Sequence, residues 1–416
     1  MLIEFYGQNF GCFRDEFRLS MLASDIDPNS NRGILEVAVK GDDQPLRLLR
    51  AAAIYGPNAS GKSTVIRAAS ALHYLISESA VTNSDAPLEP HEPFGPGEKS
   101  DVVRLGLKAV VDGCVYDYEV HFDHAHFVFE RLTRLNAEGK PEQLLSREGQ
   151  KVSGQWMENE QFRLISKDFR PNALLLSLAD RFAPSLAEDK VVAFRSLLRS
   201  SSLNDTPWRF ETGGTAARRA KKDEQFRYWL MARLKSADLG IADIELTEEN
   251  RSAVAADLPE ELFMPSEMAL MHHGKQGHFH VPWHRESAGT RRLIALAPML
   301  FDLRNTKQPL ARFIDELHES LHPTLFQEII REFNYQTPIA GVCGQLIFTT
   351  HETLLMDAEA REAILRRDQI YFTEKASDGA ARLYSLGDFK ERQNHNIRRR
   401  YLQGRYGALP TVTPLF

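Results

Sequence analysis

The sequence predicts a mixed α/β fold built around a phosphate-binding loop, with an antiparallel β-subdomain and a helical insertion. Three observations carry this prediction. The segment Gly56-Pro57-Asn58-Ala59-Ser60-Gly61-Lys62-Ser63-Thr64 lies between an apolar run, 48–55, and an alanine-rich stretch of helical spacing, 65–76. Residues 102–134 alternate apolar and polar positions. From 173 to 239 the period changes to that of helices.

The elements follow in chain order. Residues 1–20 alternate around Asn9, Gly11 and Asp15 and read as strands, as do 34–40 and 48–55, parted by Gly41-Asp42-Asp43. The glycine loop and its helix come next, followed by a proline- and glycine-rich loop over 81–99. In the alternating stretch, Asp112-Gly113 is a hairpin turn signal. The helical stretch is interrupted by Gly213-Gly214, which reads as a break. Strands return over 241–285, and Gly289 opens an apolar helix, 293–303, that Pro298 should kink. Strand-like runs at 310–314 and 345–350 flank a helix around 326–333. The expected division is 1–172 for the loop and β-subdomain, 173–240 for the helical insertion, and 241–416 for the part that completes the α/β fold.

Composition narrows the function classes. At 416 residues, 43% hydrophobic and 26% charged, the chain has ample material for buried cores, which excludes a single small binding module and global disorder. A net charge of −6 disfavours nucleic acid as a default partner. Cys12, Cys114 and Cys343 form no pair of close spacing, and no stretch of 18 apolar residues occurs, so a cytoplasmic protein with no membrane span is expected.

The chemistry concentrates around phosphate. Gly56 to Ser63 fits G-x-x-x-x-G-K-[ST]. In this pattern glycines let backbone N–H groups close on phosphate oxygens, Lys62 reaches the β/γ-phosphates, and the Ser63 hydroxyl ligates Mg²⁺. Gly56, Asn58, Ala59, Ser60, Gly61, Lys62, Ser63 and Thr64 are therefore the nucleotide-binding candidates. Asp315 and Glu316 close the apolar run 310–314, so a strand end would aim Asp315 at the Mg²⁺ shell and Glu316 at an attacking water. Another short run ends on His351, which can hydrogen-bond a γ-phosphate oxygen and a water. Ser287 and the N–H at Gly289 precede an apolar helix and would form an anion site at its N-terminus.

In that order, these four segments resemble the ABC-type ATPases of the RecF, SMC and OLD (overcoming lysogenization defect) group. Within the group the chain is most similar to the compact ATPases of bacterial anti-phage systems such as PARIS and of restriction-linked loci. The opening Ile3-Glu4-Phe5 with Asn9-Phe10 and Phe13, the segment 367–372 and the tail 404–410 share the likeness. The resemblance implies an ABC-ATPase head with ATP and Mg as cofactors. It also implies slow hydrolysis to ADP and phosphate, and a homodimer or larger oligomer in which Ser287 and Gly289 act in trans as the signature. Alanine stands at 288 where the family signature carries glycine, and His322 where many members carry aspartate.

The implied role is a nucleotide-gated sensor or scaffold in phage defence, toxin–antitoxin-like, with a phage protein as trigger and a separate effector, a Toprim-type nuclease. Only about 65 residues follow His351, too few for a fused nuclease with its own core. Asp25-Ile26-Asp27 precedes a Pro-Asn turn and reads as loop. Two rivals remain: DNA repair or DNA handling in the manner of RecF, and a P-loop kinase, against which the signature-like segment argues. Basic residues at Arg218, Arg219, Lys221, Lys222, Arg227, Arg233 and Lys235, and at Arg398, Arg399 and Arg400, suit DNA, protein docking or a solvated face. His272, His273, His278, His280 and His284 lack acids or thiols at zinc spacing.

Overall fold

The structure, a computed structural model, describes residues 1–24, 32–95, 101–136, 138–201, 211–237, 240–246, 268–275, 277–335, 343–356, 363–391 and 395–410. Two compact units divide the chain. The first is Met1–Ser201 with Thr306–Leu317 and Arg331–Phe416, and the second is Ser202–Asn305 with His318–Ile330. Asp25 and Asp27 lie outside the described residues.

The first unit holds two large sheets. One is antiparallel: β1 (Leu2–Gln8), β2 (Phe17–Ser20), β6 (Val103–Val111), β7 (Cys114–Phe122), β8 (Phe127–Leu135), β9 (Pro141–Glu148) and β10 (Lys151–Ser153) in the order β10-β9-β8-β7-β6-β1-β2. Asp112 and Gly113 join β6 to β7 with φ angles of 49° and 75°, the paired positive values that match a hairpin turn to strand twist. Leu105, Leu107, Tyr118, Val120 and Leu132 are fully buried, which accounts for the alternation in sequence. β9 and β10 lie beyond the stretch expected to form strands. Polar residues dilute their pattern, and pairing with β8 supplies what local propensity does not.

The other sheet runs β11 (Ser200–Ser201), β15 (Leu310–Ile314), β16 (Gly344–Thr349), β5 (Ala51–Tyr55), β17 (Ile370–Lys375) and β18 (Ala381–Ser385), parallel except for β18. Every residue of β5 and β16 is buried, as for strands covered on both faces. Helix α1 (Lys62–Glu78) packs on this sheet through small residues, Ala68 and Ala69 among them, which permit close approach. The short helix α2 (Glu160–Ile165) and helices α3 (Leu175–Phe182) and α4 (Pro184–Leu198) share the same core through Phe162, Leu175, Leu176, Phe194 and Leu197. Glu130 of β8, fully buried, accepts the N–H groups of Leu175 at 2.7 Å and Leu176 at 2.9 Å. It thus satisfies the start of α3, whose own cap residue, Leu174, has no acceptor side chain.

Two local expectations are corrected here. The run 48–55 is not one strand. Its first residues belong to β4 (Leu46–Leu49), which pairs antiparallel with β3 (Ile34–Val37), and Arg50 separates this ladder from β5. Arg50 is buried with its guanidinium 4.6 Å from the Phe333 ring centre, a stacking that no local pattern reveals. Gly213-Gly214 does not break a helix but lies inside α5 (Glu211–Lys222). Ala216, Ala217 and Ala220 of α5 are buried, and α5 packs on α7 (Ala288–Asn305), which outweighs the glycine cost of roughly 1 kcal/mol each.

The second unit also contains α6 (Glu224–Ser236) and the antiparallel sheet β12 (Ile241–Leu246), β13 (Met268–Gly274) and β14 (Gly277–Pro282). Helix α7 runs on past Pro298 to Asn305. Helix α8 (Pro323–Tyr335) follows the turn after β15, and α9 (Ile397–Leu402) closes the described chain. Among the described residues no helix is long and apolar enough to cross a membrane, and none of the three cysteines forms a disulfide.

Candidate functional site

The loop between β5 and α1 is shaped by close approach. A Cβ on Gly56 would lie 2.4 Å from Thr373 Oγ1 and 2.5 Å from the Thr373 carbonyl oxygen, so β17 admits only glycine there. Thr373 Oγ1 donates to the Tyr55 carbonyl at 3.3 Å, which leaves the Ser60 hydroxyl, 2.6 Å away, to donate to Thr373. Ala59 has φ 60° and Gly61 φ 112°. A side chain on Gly61 would meet Cys12 Sγ at 2.9 Å. These positions turn the chain so that α1 starts at Lys62 with no side-chain cap and no acid in its first turn. The first N–H groups of a helix so begun have no partner in the helix and form a seat for an anion.

Lys62 is 5% exposed, and its Nζ donates to the Gly56 and Pro57 carbonyls, each at 2.9 Å. Burial lowers its pKa, and the carboxylates of Asp315 and Glu316 oppose that shift. Their negative charge thus acts on the loop's ammonium. An open cleft of about 440 Å³ adjoins it, lined by Gly61, Lys62, Ser63 and Thr64 and, beyond the loop, by Gly11, Cys12, Arg67, Glu92, Phe94, Lys375 and Gly379. This is within the roughly 300–1,000 Å³ of small-ligand sites. A glycine cradle, an uncapped helix N-terminus, a buried ammonium and a polar-sided cleft fit a nucleoside triphosphate. The Ser63 hydroxyl and the Asp315 carboxylate are hard oxygen donors suited to Mg²⁺.

Asp315 and Glu316 leave β15 on a sharp turn. Asp315 is 8% exposed and accepts a hydrogen bond from Thr349 Oγ1 at 2.5 Å. Glu316 adopts φ 46°, the left-handed region, and its N–H donates to the same Oγ1 at 2.7 Å. Half-buried Glu316 follows Asp315 directly out of β15, while His351 emerges exposed two residues after the end of β16.

Ser287 and Gly289 belong to the second unit. Ser287 Oγ accepts the N–H of Thr290 at 3.0 Å and lies 2.8 Å from its hydroxyl, so it caps α7. Gly289 is needed for packing, because a Cβ there would lie 2.9 Å from the Ser320 carbonyl oxygen. His322 accepts the N–H of Thr324 at 3.3 Å, at the start of α8. Part of the basic cluster is engaged internally: Arg219 pairs with Asp302 at 2.8 Å, and Arg227 reaches both oxygens of Asp243 at 2.6 Å. The strand histidines have protein partners as well, His272 with Glu286 at 2.7 Å and His280 with Glu245 at 3.1 Å.

Several site residues carry no signal in sequence. Thr349 ends β16 and Thr373 lies within β17, places where threonine is common, and Gly11, Cys12 and Lys375 reach the cleft from distant segments.

Together the parallel sheet, the glycine loop and the acidic strand end define an α/β P-loop ATPase with an antiparallel β-subdomain. The chain belongs to the family described as "AAA domain, putative AbiEii toxin, Type IV TA system", whose model matches residues 51–357. Among solved structures, the recombination mediator protein RecF-ATPrS of the RecFOR pathway is similar at 12% identity and a TM-score of 0.34, over 92% of this chain and 98% of that one. No curated protein matches.

Proposed function

We propose that this chain binds Mg·ATP on the loop 56–64, hydrolyses it slowly, and uses its nucleotide state to hold and release a separate effector protein in anti-phage defence. The observation that carries the proposal is the glycine-shaped loop that leaves the N-terminus of α1 uncapped beside the buried Lys62 ammonium. The N–H groups of Gly61, Lys62, Ser63 and Thr64 receive phosphate oxygens, and Lys62 exchanges the Gly56 and Pro57 carbonyls for the β/γ oxygens. Ser63 and Asp315 would hold Mg²⁺, which would neutralise phosphate charge there. Glu316 orients a water and takes its proton, and His351 donates toward the γ-phosphate. In a homodimer or larger assembly, Ser287 and Gly289 of the partner subunit complete the phosphate seat.

The toxin–antitoxin description of the family supports the defence role, and the likeness to compact anti-phage ATPases supports a separate effector of the Toprim nuclease type. The test is to co-purify the chain with its co-expressed genomic neighbour in ATP, in ADP and without nucleotide, alongside nuclease assays of the chain alone in Mg²⁺ and Mn²⁺. Nucleotide-dependent retention with no intrinsic cleavage is the expected result. Cleavage abolished by a site mutation, or retention indifferent to nucleotide, would overturn it.

A further inference from the structure

We infer that Thr349 is a positioning residue for hydrolysis, fixing Asp315 and Glu316 in the geometry their roles require. The inference rests on the proposed ATPase reading. Thr349 is the last residue of β16, the strand between the acidic strand β15 and the loop strand β5, and it is fully buried. It makes three hydrogen bonds to the turn that carries the acids. Its Oγ1 donates to Asp315 Oδ1 at 2.5 Å, the same oxygen accepts the Glu316 N–H at 2.7 Å, and its carbonyl accepts the Leu317 N–H at 3.2 Å. One hydroxyl has one proton and lone pairs to spare, so both side-chain bonds form together and in only one sense.

The consequence is directional. With Oδ1 engaged by Thr349, Oδ2 is the Asp315 oxygen left for a metal. The bond to the Glu316 N–H holds a bulky residue at φ 46°, where an L-residue rarely stays unless its surroundings impose it. Released from that bond, the turn relaxes toward ordinary backbone values and the Glu316 carboxylate swings away from its water. Thr349 is itself anchored, because β16 pairs with β5 through Thr349 and Ile54 and the next N–H, of Thr350, donates to the Ile54 carbonyl at 3.1 Å. The strand that leads into the phosphate loop and the turn that presents the water-activating carboxylate are thereby held to one reference. Thr349 cannot touch the nucleotide, since it is covered on all sides.

The experiment compares Thr349→Val, which keeps the shape and removes the hydroxyl, with Thr349→Ser, which keeps the hydroxyl, in the full chain. Nucleotide affinity, kcat, KM, melting temperature and the Mg²⁺ concentration that half-saturates nucleotide binding are measured. Thr349→Val is expected to bind ATP with near wild-type affinity while kcat falls on the order of 10²-fold, as for a catalytic group displaced by about 1 Å. Its Mg²⁺ requirement should rise several-fold. Thr349→Ser should recover most of both losses. At saturating Mg²⁺, which offsets the effect on Asp315, combining Thr349→Val with Glu316→Gln should slow turnover no further than Glu316→Gln alone, because the remaining effect is on one group. A folded Thr349→Val protein with wild-type kcat and Mg²⁺ requirement would overturn the inference, as would equal losses in the valine and serine variants. Failure of the wild-type chain to bind Mg·ATP would strike the ATPase reading itself. A wild-type chain that binds but does not hydrolyse would strike only the hydrolysis step, with Thr349 then judged by the Mg²⁺ requirement.

Discussion

Replacing Lys62 by alanine tests the phosphate seat most directly. The ammonium sits 2.9 Å from two loop carbonyls and is buried, and the charges of Asp315 and Glu316 oppose the lowering of its pKa by burial. On nucleotide binding its donors pass to phosphate oxygens, and hydrogen bonds to charged groups contribute about 1.5–3 kcal/mol each. Two such bonds amount to roughly 3–6 kcal/mol, or a loss of about 10²–10⁴ in affinity. Fold stability should fall by about 1–3 kcal/mol, the cost of leaving the buried Gly56 carbonyl without its donor. Isothermal titration of ATP with Mg²⁺ measures the first quantity and a thermal melt the second. Wild-type affinity within about threefold, less than the 1.4 kcal/mol that a factor of ten represents, would refute the placement of the β/γ-phosphates at Lys62.

Glu316→Gln should retain nucleotide while lowering kcat by about 10²–10⁴, the range for loss of a general base, and Asp315→Asn should instead weaken the dependence on Mg²⁺; steady-state assays with a Mg²⁺ series separate the two. Mixing Lys62→Ala protein with Ser287→Arg protein should restore ATPase activity through one intact site per heterodimer. No recovery despite demonstrated subunit exchange would exclude the trans arrangement. A third prediction concerns acid stability. Burial alone would raise the Glu119 carboxyl, but hydrogen bonds from His121 and Arg104 and the charge of Arg131 outweigh it and bring its pKa to about 2. A carboxylate depressed from 4.5 adds stability that is present above that value and is lost as pH falls toward 2, up to about 3 kcal/mol. Urea midpoints of Glu119→Gln and wild type should therefore differ most near neutral pH and converge near pH 2.

The sequence by itself determined the phosphate loop, the hairpin at Asp112-Gly113, the strand that ends at Asp315 and the helix capped by Ser287. Each is written in neighbouring residues: a glycine spacing that permits backbone approach, a pair that tolerates positive φ, an apolar run closed by acids, a hydroxyl one residue before a helix. Tertiary structure decided the rest. The run 48–55 reads as one strand until Arg50 turns its guanidinium onto Phe333, 283 positions away, and splits it between two sheets. Helices α3 and α4 lie in the first unit, where Leu175, Leu176, Phe194 and Leu197 share its core and a buried carboxylate on β8 receives the first N–H groups of α3. Thr349 holds Asp315 and Glu316, Thr373 holds Ser60 and the start of the loop, and Gly289 is glycine because of a carbonyl at Ser320. None of these has a local signature, because a threonine in a strand or a glycine at a helix start suits its own segment whether or not a distant partner arrives. What places Asp315 and Glu316 is the partner across the fold, and that contact exists only once the strands have paired.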